Sequence, residues 1–197
     1  MAVINGDLRL VIPARSTEAG EPIAWAYHTA ISSQVFEANY RVLAATKAAL
    51  FAQGPRYAFE VGAQIAGLRL RDEGRKDAVD RGDLDGDGSP RDGGVAALLA
   101  ELQRLTMIVL PSPAGWETMP VAVALQRGMM DADEWREVES GIVFFTSLFH
   151  LTPRAKRAQI GGVAASMQGG SLTSLPLTEW TASLPPLTPA GASTPAV

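Results

Sequence analysis

The run DLDGDG, residues 83–88, has the residue types and spacing that begin an EF-hand-type calcium loop. Its three aspartates supply oxygen ligands at loop positions 1, 3 and 5, and its second glycine stands at position 6. Such a loop also needs a bidentate carboxylate at position 12, where this chain has Gly94. Without that ligand the site is not closed. The sequence therefore predicts a solvated acidic segment without useful calcium affinity.

The other residues that could perform catalysis or bind a metal are isolated from one another in the sequence. His28 and His150 lie far apart, with no third ligand at metal-site spacing. The chain contains no cysteine, which excludes thiolate ligands and a cysteine nucleophile. Four carboxylates form spaced pairs near a predicted helix start, where acids favour the helix dipole: Asp131, Asp133, Glu137 and Glu139. We therefore predict no enzyme activity, no metal and no cofactor.

A small basic cluster is one candidate for partner binding. Arg154, Lys156 and Arg157 begin the last predicted helix, which starts at Thr152-Pro153. Cations at a helix N-terminus oppose the helix dipole, so this placement has a local cost. Acidic groups on a partner would explain the cluster, and an ordinary solvated surface is the alternative.

The C-terminal region is the second candidate for partner binding. After Gly169-Gly170 the chain carries apolar residues separated by Ser, Thr and Pro, a spacing too irregular for a stable isolated helix. We predict a partner-facing or disordered tail over residues 170–197, hinged at the two glycines. In the alternative, the segment folds back and Trp180 fills a groove on the same chain. The predicted anchors are Leu172, Leu175, Leu177, Trp180 and Leu184.

Composition limits the classes of protein that fit. The chain has 197 residues, of which 47% are hydrophobic, enough for one sizeable core. Its 17 Lys and Arg against 21 Asp and Glu give a net charge of −4, which argues against a general nucleic-acid binder. No apolar run approaches the roughly 20 residues that span a bilayer, and the N-terminus lacks the basic start of a signal peptide.

The predicted fold is mainly α: an N-terminal β-hairpin followed by a helical bundle in two blocks. Residues 1–73 hold the hairpin and two helices, and residues 95–169 form the C-terminal helical block. A flexible acidic loop over residues 74–94 joins them, because its composition cannot bury enough apolar surface. In the second helix we predict a core face and a separate seam of small residues. The face consists of Tyr57, Val61, Ile65 and Leu68, and the seam of Ala58, Gly62 and Ala66.

The order of several short motifs resembles the tail assembly chaperones of long-tailed bacteriophages and prophages. The first motif is PI…S…VFE, which leads from Pro22 into the first helix. The second is the connector GW…P, followed by D.DE…VE…VFFT within residues 131–146. The third is TSL…TE…SLP, within residues 173–185. Together these motifs span most of the chain, and the acidic segment 74–94 matches the pattern least.

The resemblance implies a non-enzymatic assembly factor. Such chaperones coat the tape measure protein, recruit tail tube subunits in the host bacterial cytoplasm, and are absent from the finished virion. They are commonly made in two lengths through a translational frameshift. The expected partners are thus the tape measure protein and the tail tube protein, with self-association left open and no nucleic acid or membrane involved. The alternative is a structural minor tail or connector protein of the virion.

Overall fold

Five strands form one antiparallel sheet in the part of the chain that the computed structural model describes, residues 8–187. They are β1 (Arg9–Ser16), β2 (Pro22–Thr29), β3 (Thr106–Ser112), β4 (Gly115–Pro120) and β5 (Ser171–Thr173). Their spatial order is β4-β3-β2-β1-β5. The sheet thus joins the two ends of the described chain, since β5 pairs with β1.

The described residues also form eight α-helices. In chain order they are α1 (Ser33–Ala38), α2 (Tyr40–Phe51), α3 (Pro55–Asp80), α4 (Gly93–Arg104), α5 (Val121–Gln126), α6 (Ala132–Phe149), α7 (Arg157–Ser166) and α8 (Leu177–Ala182). A 3₁₀ turn over Arg154–Lys156 precedes α7. Ser32 caps α1 through its side chain, and Asp131 and Glu134 form a capping box on α6.

The prediction of a helical bundle with a single hairpin is wrong. The N-terminal hairpin of β1 and β2 is present, but it forms two strands of a five-stranded sheet. The missed hairpin, β3 and β4, lies in a stretch whose prolines suggest a breaker-rich connector. Pro111 pairs with Trp116 near the hairpin turn, and Pro120 ends the edge strand β4. Proline is tolerated at edge strands and strand ends because a residue there need not donate a backbone hydrogen bond to a neighbouring strand.

One continuous core lies between the sheet and the helices. Helix α6 is its centre, and every residue from Val138 to Phe149 is buried. Leu43 and Leu70 from the N-terminal block belong to the same buried cluster as Leu98 and Phe145 from the C-terminal block. The two predicted blocks therefore contribute to one packing unit.

The predicted close packing of the small-residue seam of α3 is confirmed, while the predicted core face is only partly buried. The small residues Ala58 and Ala66 are completely buried, and a Cβ on Gly62 would approach the Phe144 ring of α6 within 2.8 Å. Leu68, assigned to the core face, is 65% exposed. Small side chains let α3 approach α6 closely, and this close packing outweighs the burial of the larger side chains.

The predicted loop over 74–94 is largely structured. Helix α3 continues to Asp80, and Asp92 caps α4 through its side chain. Between them Leu84 and Pro90 form an isolated β-bridge, and Arg91 Nε donates to Asp85 Oδ1 at 2.9 Å. Asp85 would be a ligand in the incomplete calcium loop, so a calcium ion would compete with this ion pair. The absence of useful calcium affinity stays a prediction.

The orientation of α3 can be tested with two leucines of the same helix. Replacing Leu70 with alanine should lower the free energy of unfolding by about 2–5 kcal/mol, because Leu70 is completely buried. Replacing the exposed Leu68 should change it by no more than about 0.5 kcal/mol. Urea unfolding of both variants measures the difference. Equal costs would mean that α3 is rotated from the orientation described.

Within residues 8–187, no helix is both long enough and apolar enough to cross a membrane.

Candidate functional site

The sheet has a second, aromatic face opposite the main core. Alternation along the strands directs Leu10 and Ile12 into the core and places Val11 on the other side. Val11, Tyr27, Val109 and Trp180 form a separate buried cluster there. Partly buried side chains surround it: Trp25, Trp116, Leu177 and Leu184. We call this surface the aromatic face.

Residues 171–187, the C-terminal strap, cover the aromatic face. Trp180 from α8 lies in the middle and is only 8% exposed. Its ring centroid is 6.0 Å from that of Trp25 in an edge-to-face arrangement, and 5.9 Å from that of Tyr27. Edge-to-face and tilted aromatic pairs are favourable beyond the area that they bury. Aromatic packing around Trp180 therefore helps to hold the strap on this face.

Two side chains of the sheet hydrogen-bond to the strap backbone. Tyr27 Oη donates to the Leu175 carbonyl oxygen at 2.7 Å, and Trp116 Nε1 donates to the Pro185 carbonyl oxygen at 3.0 Å. Burial raises the pKa of Tyr27, which keeps its hydroxyl protonated as the donor. These bonds lie on either side of Trp180 in the sequence and fix the strap at two places.

The prediction of an arm that stays unpacked until a partner binds is wrong for residues 171–187. Leu172 packs against the main core, Leu177 and Leu184 pack against the aromatic face, and Leu175 is 39% exposed. The predicted hinge is also packed, because a Cβ on Gly170 would collide with β1. The alternative, in which Trp180 folds back, describes the structure. Partner binding by these leucines and Trp180 stays a prediction, and residues 188–197 of the predicted tail lie outside the described part.

The basic cluster lies at a different place, beside a groove. Arg154 and Arg157 line this groove together with Arg9, Phe36 and His150, and its volume is about 600 Å³. The structure therefore separates the predicted partner-binding residues into two surfaces, the strap with its anchors and this groove. Lys156 is exposed in the adjoining 3₁₀ turn. We call this second surface the cationic groove.

Backbone carbonyls hold one cation of the groove in place. Arg157 donates from Nε to the Thr152 carbonyl oxygen at 3.0 Å and from Nη2 to the His150 carbonyl oxygen at 3.3 Å. Its guanidinium carbon also lies 5.7 Å from the Phe149 ring centroid. These partners are neutral, so they orient the guanidinium without cancelling its charge.

Two histidines that are distant in the sequence influence each other in the fold. His28 is completely buried, with Nδ1 2.9 Å from Thr106 Oγ1, and the ring of His150 stacks on Phe36. Burial, with repulsion from His150 as the smaller cause, lowers the pKa of His28 to about 3. Burial, with repulsion from Arg157 as the smaller cause, lowers the pKa of His150 to about 4. Both rings are therefore neutral at physiological pH.

Each histidine also has a ring nitrogen without a partner. Within residues 8–187, the buried Nε2 atoms of His28 and His150 have no hydrogen-bonding partner. The described residues contain no group of three or more His, Cys, Asp or Glu that could hold a metal ion. The His150 ring lines the cationic groove, while its Nε2 is itself enclosed.

The four carboxylates considered for catalysis are not brought together as a reactive pair. Asp131 caps α6, and Asp133 forms an ion pair with Arg136. Glu139 is buried and accepts a hydrogen bond from Arg71 on α3. Three of the four therefore have partners that account for their positions, while Glu137 is exposed.

No family model, curated protein or solved structure matches this chain. Sequence reasoning found Trp180 but missed Trp25, Tyr27 and Trp116 as its neighbours. The apolar run MIVL in β3, shortly before Trp116, was the signal that could have placed this second hairpin in the sheet.

Proposed function

We propose that this chain is a non-enzymatic tail assembly chaperone of a long-tailed bacteriophage or prophage. It binds the tape measure protein and recruits tail tube subunits in the cytoplasm of the host bacterium. The proposal rests on the motif resemblance, and one structural observation supports it. Trp25 and Trp180 lie in the intervals between the matched residues of the first and third motifs. They meet Trp116 of the second motif on the aromatic face.

The convergence matters because these motifs are far apart in the sequence. If these motifs acted only as local signals for helices or turns, their tryptophans would have no reason to lie on the same surface. Tryptophans are also frequent anchors of protein–protein contacts. The aromatic face thus organises the segments on which the resemblance rests.

The proposal predicts selective capture of two partners. The tagged full-length chain should retain the tape measure protein and the tail tube protein when the three are co-expressed from the genome that encodes them. It should not retain the major capsid protein of that genome, which is the control. Affinity purification followed by mass spectrometry measures this, and a chain that retains neither tail protein would contradict the proposal.

Abundance in virus particles distinguishes a chaperone from a structural component. A chaperone should be depleted from purified particles relative to the infected-cell lysate. Recovery of the chain at a fixed number of copies per particle would instead indicate a minor tail or connector protein.

A further inference from the structure

We propose that the cationic groove binds an acidic segment of a partner protein, with Arg154 and Arg157 contacting its carboxylates. The groove lies between the start of β1, helix α1 and the turn that leads into α7. The proposed occupant is defined by its chemistry, an acidic segment, and not by the identity of the partner. The proposal does not depend on the phage function, and it holds for any partner that presents such a segment.

The charges in the groove favour an anionic occupant. Arg154 lines the groove and is exposed. Within residues 8–187, no carboxylate forms an ion pair with Arg154, Lys156 or Arg157. Glu37 is the one carboxylate among the described lining residues. Most arginines elsewhere in the described chain are paired with Asp or Glu, so this local excess of positive charge departs from the rest of the surface.

The walls of the groove favour a peptide segment over a free ion. Partly buried Phe36 contributes apolar surface beside the two arginines, and Phe149 and Ile31 line the groove while being largely buried. A volume of about 600 Å³ lies in the range of ligand-binding clefts. A carboxylate between Arg154 and Arg157 would form charge-assisted hydrogen bonds, and a neighbouring aliphatic side chain would cover Phe36.

His150 adds its ring to the wall of the groove. The ring is stacked on Phe36, and its Nε2 is itself enclosed, without a partner among the described residues. A segment bound in the groove would therefore contact the partly exposed remainder of the His150 side chain.

A nucleic acid fits this groove less well than an acidic peptide does. A polyanionic strand needs a basic surface that follows its backbone for several phosphates. Here the described lining of the groove contains three arginines, and the whole chain carries a net charge of −4. A strand that extends beyond the groove would therefore meet no overall excess of positive charge.

Fluorescence anisotropy with a designed peptide tests the proposal on the full-length chain. The probe is a short fluorescein-labelled peptide of alternating Glu-Glu and Leu-Leu pairs, and its counterpart carries glutamine in place of every glutamate. We expect the acidic peptide to bind at low salt, with affinity falling as salt rises, because surface charge interactions are screened. The glutamine peptide should bind at least about tenfold more weakly, which corresponds to the loss of one charged contact.

Charge-reversal variants locate the binding site. Arg154→Glu should weaken binding of the acidic peptide at least about tenfold, and its exposed side chain forms no described bond that folding requires. Arg56→Glu is the matched control, since Arg56 has a 90% exposed side chain on α3 and lies outside the groove. It should bind as the unchanged protein does. The proton resonances of the His150 ring should also shift when the acidic peptide is added.

Several results would overturn the proposal. Equal binding of the glutamine peptide would assign the groove to apolar ligands, and an equal loss of binding in the control Arg56→Glu would indicate a non-specific charge effect. Displacement of the peptide by an equimolar single-stranded oligonucleotide would indicate phosphate recognition instead. Absence of binding by the unchanged protein would mean that the groove does not take acidic segments.

Discussion

Replacing Trp180 with alanine is expected to lower the free energy of unfolding by about 3–5 kcal/mol, the usual cost for a large buried aromatic side chain. Trp180 is 8% exposed and contacts the rings of Trp25 and Tyr27. Its removal would leave a cavity on the aromatic face that the short helix α8 cannot fill. The variant should therefore lose both the burial of the indole and its two aromatic contacts.

Leu175 supplies the matched control for this substitution. It lies in the same strap and is 39% exposed, so Leu175→Ala should change the free energy of unfolding much less than Trp180→Ala does. Urea unfolding followed by circular dichroism measures both variants. A cost below about 1 kcal/mol for Trp180→Ala, outside the range for a buried tryptophan, would show that the strap is undocked in solution. The partner-facing arm would then describe the protein better.

A truncated chain tests whether the strap covers the aromatic face while the remaining chain stays folded. A chain ending at Ser174 keeps β5 but lacks α8, so it should expose Tyr27 and Val109 of the aromatic face. We expect it to bind the dye ANS more strongly than the full chain, because the dye reports exposed apolar surface. Unchanged dye binding at equal stability would contradict a strap that covers this face.

The elements that sequence reasoning located have strong local signals. Helix α6 begins at a capping box and carries an apolar stripe, and both are visible within a short window. The hairpin of β1 and β2 shows period-two alternation on both sides of a turn. In these segments the local preference and the tertiary environment favour the same structure.

The errors arise where a distant partner decides the structure. Trp180 is buried because Val11, Tyr27 and Val109 from three strands form its site, and nothing near Trp180 in the sequence reveals them. Leu68 is exposed because small residues of α3 face Phe144 of α6, which a count of apolar residues along one helix does not show. The candidate surfaces share this property, since each brings together segments from both halves of the chain.

Acidification from pH 6.5 to 5 is expected to destabilise the fold through His28, with a slope on the order of 1 kcal/mol per pH unit. In the unfolded chain His28 takes up a proton near pH 6.5, whereas burial lowers its pKa in the folded protein to about 3. The unfolded state therefore binds more protons between these values. The contribution of neutral His28 to the free energy of unfolding is complete above about pH 6.5 and is lost as the pH falls towards 3.

His150 should add to this loss over a narrower range. Its pKa in the folded protein is about 4, so its contribution extends from about pH 6.5 down to 4. The contribution is smaller than that of His28, because the ring is partly exposed and solvent screens its charge. Ordinary carboxylates titrate near pH 4. The interval between pH 5 and 6.5 therefore reports mainly on the two histidines.

Urea unfolding at a series of pH values measures how the free energy of unfolding changes with pH. Neutral replacements of the histidines show which residue causes the change. His28→Asn cannot gain a proton and retains a polar group beside Thr106 Oγ1, so its stability should depend less on pH in this interval. His150→Gln tests the smaller contribution in the same way. Proton uptake on unfolding of the unchanged protein at pH 5.5 provides a measurement that needs no variant. A protein that takes up no protons under those conditions would show that His28 is not held neutral by burial, and its position in the core would have to be revised.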